Sequence, residues 1–163
     1  MLDQVLFALS NPLIAGGVVV GAVAFGLGAR AAARRNGWHP VPAVLAGISL
    51  GVVLGVTFSR TLPSWAGQEF CHLNGFSLHG SSELLNALLF VPLVFFAVLA
   101  TRRPLVVLGA AVALSAVIEL VQPLTRRGLC ETQDFLNNSF GAVVAAIAAA
   151  GVVALGRRTA VAR

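Results

Sequence analysis

Charge is what this chain is short of. Only 10% of its 163 residues are Asp, Glu, Lys or Arg, whereas a soluble domain carries about 25%. Hydrophobic residues make up 58% and the mean hydropathy is +0.90. This balance excludes a water-soluble globular domain and requires an integral membrane protein. Lysine is missing altogether, so eleven arginines supply the Lys/Arg charge and a formal net charge of +5. A pI near 11.3 could point to nucleic acid, but the arginines fall in short clusters between apolar runs, as loop charges that set membrane topology do. A nucleic-acid partner is therefore not expected. No segment shows the period-2 alternation of a membrane barrel strand. There is also no internal repeat and no linker long enough to divide the chain. The expectation is an all-α polytopic bundle, one domain over residues 1–163.

Five apolar runs are long enough, or nearly so, to cross a bilayer, which takes about 20 residues. They lie at about Val5–Ala29, Ala43–Leu62, Leu84–Thr101, Pro104–Leu124 and Phe135–Gly156. The links on one side hold Arg30, Arg34, Arg35, Arg102, Arg103, Arg157, Arg158 and Arg163, with no acid among them. The other side holds Arg60, Arg126 and Arg127 against Asp3, Glu69, Glu83, Glu131 and Asp134. Positive-inside bias then places the N-terminus outside and the C-terminus in the cytoplasm of a bacterial plasma membrane. A cleaved signal peptide is disfavoured, because Asp3 precedes the first apolar run and the arginines follow it. Trp38 and Trp65 read as interfacial anchors.

Small residues recur every four positions at Gly47, Gly51 and Gly55, at Gly17 and Gly21, and at Gly141, Ala145 and Ala149. Such faces let helix backbones approach closely, and packing inside the bundle is favoured over dimerisation. A monomer or small homo-oligomer is expected. The chain has two cysteines, Cys71 and Cys130, and each falls in an expected outer loop. An oxidising compartment favours a disulfide between them over two free thiols. A catalytic cysteine would lack an evident base partner. His72, His79 and Glu83 form no compact metal-ligand motif, and neither a metal nor a cofactor is expected.

Polar groups concentrate in one stretch, Ser115 to Gly141. Glu119 is the only acid inside an apolar segment. A charge at the centre of a membrane helix costs roughly 2.5–3.5 kcal/mol, so such a residue is usually paired, protonated or facing a polar cavity. Glu119 and Gln122 are three apart and share a helix face. Asp134 and Asn138 are four apart on the next helix, and Glu83 and Asn86 three apart on an earlier one. Three helices thus each offer a carboxylate and a carboxamide at one membrane depth, with Arg126 and Arg127 as candidate counter-charges. Asp134 also suits a helix N-cap or first turn. Each of these residues has a plainer structural role open to it. Glu119 with Arg127 could simply fix a helix to its loop, and Asn86 and Asn138 could bond across helices at about 0.6 kcal/mol each.

The order Glu119-x-x-Gln122, Arg127, Asp134-x-x-x-Asn138-x-x-Gly141 resembles the VanZ-like family of bacterial membrane proteins. The stretch from Asn86 through Phe90 to Pro92 resembles that family's Asn-x-x-x-Phe-x-Pro signature, and the likeness spans about residues 83–150. Val94 and Ala145 stand where the family commonly has Gly, which bears on helix contacts more than on chemistry. Arg126 and Arg127 are adjacent, so either can be the family's arginine, with Arg127 the better fit. The family takes its name from a protein associated with low-level resistance to teicoplanin. The resemblance therefore implies an envelope context, and it supplies no reaction.

Three functional expectations follow. In the first, Glu83, Asn86, Gln122, Arg126, Arg127 and Asn138 hold the headgroup of a membrane lipid, a lipid-linked envelope precursor or a lipoglycopeptide. In the second, Glu119 and Asp134 act as acid and base on an outer-leaflet lipid. In the third, Glu119 titrates in a proton-coupled transporter.

Overall fold

A computed structural model describes residues 10–59 and 71–161. Asp3, Arg60, Trp65, Glu69 and Arg163 lie outside the described residues. The elements are α1 (Pro12–Asn36), α2 (Pro40–Thr57), β1 (Cys71–His72), α3 (Ser81–Leu89), α4 (Val91–Thr101), α5 (Pro104–Thr125), β2 (Cys130–Glu131) and α6 (Thr132–Val161). Among the described residues, five helical stretches are long and apolar enough to cross a membrane. They are Ile14–Asn36, Pro40–Thr57, Ser81–Thr101, Pro104–Thr125 and Thr132–Arg158.

Helix ends follow local chemistry. Proline opens α1, α2 and α5, at a first-turn position where its missing N–H costs nothing. α1 runs on to Asn36, so Arg30, Arg34 and Arg35 ride on its last turns and are not in the link. Arginine is a good helix former, and its charge suits the negative end of the helix dipole. Gly37 then stops the helix at φ +66°, with the Trp38 N–H donating to the Ala33 carbonyl at 3.0 Å. The third span is two helices. Pro92 lacks an N–H and crowds the carbonyl four residues back, and the chain breaks at Phe90 between α3 and α4.

α4 lies at the centre. Phe90, Val94 and Val98 are fully buried against Val53 of α2, Ala111 and Ile118 of α5, and Ala142, Ala145, Ala146 and Ala149 of α6. Val94 and Ala145, the two departures from the family pattern, are thus core packing positions. The glycine stripe of α2 packs inside the chain as expected. A Cβ on Gly47 would meet the Phe25 carbonyl, one on Gly51 would lie 2.5 Å from Ala22 Cα, and one on Gly55 would lie 2.6 Å from Val18. Gly17 and Gly21 differ, since a Cβ on either meets nothing. Gly141 on α6 lies directly against the Ala87 carbonyl of α3.

The two ends of the bundle are built differently. At one end, the links 37–39 and 102–103 meet, and the His39 N–H donates to the Ala100 carbonyl at 3.1 Å. At the other, β1 and β2 pair in parallel with Cys71 opposite Cys130 and His72 opposite Glu131. The two cysteines are bridged, with Cα atoms 4.5 Å apart. Thr132 Oγ1 accepts from the Asn74 N–H at 2.8 Å and donates to the Asn74 carbonyl at 2.7 Å, pinning the loop after β1 to the start of α6.

Candidate functional site

The bridged end holds a cavity of about 230 Å³. α5 presents one face to it, with Ile118, Glu119 and Gln122 all buried at i, i+1 and i+4. Glu119 is only 5% exposed. Its Oε2 accepts the backbone N–H of Glu131 at 2.9 Å, so the strand beside the disulfide holds the carboxylate in place. Pro123 lies one turn on and offers no N–H to the Glu119 carbonyl, which weakens the helix ladder at this residue. Gln122 has room because Gly128 has no side chain; a Cβ there would stand 2.5 Å from Gln122 Nε2.

α3 and α6 close the opposite wall. Asn86 is buried, and its Nδ2 donates to Asp134 Oδ1. Asp134 lies in the first turn of α6, where the helix dipole favours a negative charge. One turn deeper, Asn138 Nδ2 and Ser115 Oγ are 3.2 Å apart. Among the described residues, the Asn138 Oδ1 has no hydrogen-bond partner. Glu131 brings a third carboxylate to the lining, and Thr57 and Ser82 bring hydroxyls. Val56, Leu89 and Ile118 form the apolar wall.

Glu119, Asp134, Asn86, Gln122 and Asn138 therefore meet around one space, on the three helices the spacing indicates. Three other candidates stand outside its lining. Arg126 and Arg127 are exposed, with Arg126 capping α5 in the left-handed region at φ 53° and the Arg127 N–H on the Gln122 carbonyl at 2.9 Å. Glu83 folds back over its own N-cap, where its carboxylate occupies the place a Cβ on Gly80 would need. His79 Nδ1 and Ser77 Oγ lie 3.2 Å apart in the same loop.

Sequence reasoning missed four contributors. Ser115 was within reach, since it sits four residues before Glu119 on the same face. Glu131 was not, because its approach depends on the β1–β2 register. Thr57 and Ser82 are ordinary helix-end residues with no motif. A fully buried Asn137 is the fifth surprise: it exposes 0% of its surface, and neither of its side-chain amide atoms has a partner among the described residues.

The cavity's chemistry follows from its lining. Among the described residues, three carboxylates and three carboxamides face it, with no Arg, Lys or His. Such a space repels anions and attracts hydrogen-bond donors, above all cationic ones. The volume lies below the roughly 300–1,000 Å³ of pockets that enclose drug-sized ligands. It has room for a headgroup and not for a whole lipopeptide.

A polytopic helical membrane protein with a carboxylate-lined cavity at one end of its bundle is the class these features define. The chain belongs to the VanZ/LLP1 family, whose model matches residues 48–154, about two thirds of the 163 residues. The match begins on α2, well before the stretch in which the motifs lie. No curated protein and no solved structure matches the chain.

Proposed function

We propose that the cavity binds the amine- or hydroxyl-bearing headgroup of an outer-leaflet lipid, a lipid-linked envelope precursor or a lipoglycopeptide. The apolar part of the ligand stays in the bilayer, and the bridged end faces outward across a bacterial plasma membrane. The observation that carries this reading is the lining: among the described residues, three carboxylates and three carboxamides with no cation among them. A phosphate does not suit that interior. Where the headgroup carries one, Arg126 and Arg127 stand just beyond Gln122 to meet it at the rim. Protection against a glycopeptide such as teicoplanin is one form this binding can take, by engaging the drug or its lipid-linked target.

A second reading makes Glu119 and Asp134 an acid–base pair acting on such a lipid. It is favoured by the way one oxygen of each is held by an N–H, from Glu131 and from Asn86 respectively. Such clamping fixes the orientation of each carboxylate. Transport is disfavoured, because the buried Phe90, Val94 and Val98 fill the bundle centre.

Native mass spectrometry of gently extracted protein, on wild type and Glu119→Gln, tests the proposal. One amine- or hydroxyl-bearing lipid class is expected to co-purify with wild type. Its affinity falls about tenfold in the variant, the difference between a charged and a neutral acceptor. No selective lipid on wild type, with the variant folded and equally stable, overturns the headgroup site. Turnover of the lipid that is lost in both Glu119→Gln and Asp134→Asn would establish the enzymatic reading, whereas a binding site keeps part of its function with either amide.

A further inference from the structure

We infer that the arginine end carries a second binding site, for the phosphate of an anionic phospholipid. Two cavities adjoin there and share Arg102, Val153 and Arg157. One, of about 380 Å³, also has His39 and Leu99 in its walls. The other, of about 150 Å³, is walled by Val98, Pro104 and Ala150. Arg102, Arg157 and His39 stand in the walls of the first, and the second adds the apolar Val98, Pro104 and Ala150 beside the same exposed arginines. That pairing of a cationic pocket with a hydrocarbon-lined slot matches a phosphate headgroup and the start of its acyl chain.

The backbone fixes this arrangement. Arg102 caps α4 in the left-handed region at φ 57°, with its N–H on the Val98 carbonyl at 2.7 Å. The turn continues directly into the Pro104 start of α5, whose first N–H groups and positive dipole end also favour an anion. His39 is held against the same turn through its N–H on the Ala100 carbonyl. Opposing charge is remote. The described acids are Glu83, Glu119, Glu131 and Asp134, and all of them belong to the bridged end. A guanidinium pair suits a phosphate geometrically, since each can donate two parallel N–H groups. Arginines that only set topology would have no need to line one shared cavity. This site is independent of the cavity around Glu119, Glu131 and Asp134 and takes the opposite charge.

The test titrates phosphatidylglycerol, and separately phosphatidylcholine, into the detergent-solubilised full chain and reads bound lipid by native mass spectrometry. Wild type is expected to prefer phosphatidylglycerol. Arg102→Gln with Arg157→Gln should raise its Kd roughly thirtyfold, taking each arginine's attraction to an anionic headgroup at the usual strength. Arg34→Gln with Arg35→Gln removes the same charge from the same end and should change Kd less than about threefold. Equal losses in the two double variants would show a diffuse field and overturn the site, as would no loss in the first. Arg102→Lys with Arg157→Lys keeps the charge and serves if the glutamine pair fails to fold. It should hold phosphatidylglycerol within about tenfold of wild type, and complete loss there overturns the electrostatic account. Inorganic phosphate is titrated in parallel. If it binds with the same arginine dependence and as tightly as the lipid, the lipid is overturned as the source of the phosphate.

Discussion

The two ends of this bundle solve opposite problems with the same helices. At the bridged end, the described acids gather, and the chain is stapled by a disulfide, a strand pair and the Thr132–Asn74 bonds. At the arginine end, most of the described arginines gather, and the links are two or three residues long with no covalent staple among the described residues. The difference has a physical logic. Carboxylates close together repel, so the elements that carry them must be held from outside the cluster. Arginines on short turns can splay into solvent or toward lipid phosphates and need no such restraint. The interior of the bridged end is consequently preorganised, whereas the arginine end is shaped by its turns.

The strongest way to break this comparison is to remove the staple. Cys71 and Cys130 enclose a loop of 59 residues' separation. Chain entropy assigns a bridge of that span about 4 kcal/mol. Cys71→Ser with Cys130→Ser should therefore lower the detergent melting temperature markedly, and reduction of wild type should do the same. Loss of the bridge also frees the strand whose Glu131 N–H holds Glu119. Headgroup binding should fall with it, while phosphatidylglycerol retention at the far end holds. An unchanged melting temperature in both oxidised and reduced protein would show that the strand pair and Thr132 suffice.

Gly141 offers a smaller and more local break. Its α-carbon lies against the Ala87 carbonyl, so any side chain must push α6 away from α3. Gly141→Val should cost about 1–3 kcal/mol, the usual range for overpacking. It should also separate Asn86, the residue next to Ala87, from Asp134, about two turns before Gly141 on α6. Gly151→Val, on the arginine-end half of α6, meets open space and is the matched control. Similar destabilisation by both valines would mean that β-branching in the helix, and not the α3–α6 contact, sets the cost.

How much of this was legible in the sequence depends on the range of the interaction. Apolar runs of about 20 residues gave the number of spans, and i, i+3 and i, i+4 spacing gave Glu119 with Gln122 and Asp134 with Asn138. Both are properties of a single helix. The break at Phe90 was also written locally, in Pro92, but a hydropathy run does not register a missing N–H. Glu131 reaches the cavity because β2 pairs with β1, a contact between residues some 59 positions apart that no local pattern reports. Charge logic brings Arg126 and Arg127 toward the carboxylates, but the left-handed cap at Arg126 turns the chain and leaves both side chains exposed. Charge complementarity says which groups attract, and backbone conformation decides which ones meet. Asn137 is the hardest case, since only the packed bundle shows that its amide is buried without a partner among the described residues.

The finest comparison uses a feature that both ends share. Each ends a helix on an arginine in the left-handed region, Arg102 at φ 57° and Arg126 at φ 53°. That conformation suits glycine and is uphill for a residue with a Cβ. Arginine at both caps is therefore a local cost that the fold tolerates. Arg102→Gly and Arg126→Gly should each stabilise the protein by up to about 1 kcal/mol, part of the relief being offset by glycine's greater freedom when unfolded. Their stabilities should match and their binding should not. Arg102→Gly should weaken phosphatidylglycerol binding about fivefold while leaving the headgroup cavity intact. Arg126→Gly should retain phosphatidylglycerol and weaken only those cavity ligands that carry a phosphate at the rim. Thermal melts combined with the two lipid titrations check this, and destabilisation by either glycine would mean that the guanidinium itself holds its turn. If both glycines stabilise and each impairs its own ligand, the strained caps are kept for binding, and the two ends are separate sites on one bundle.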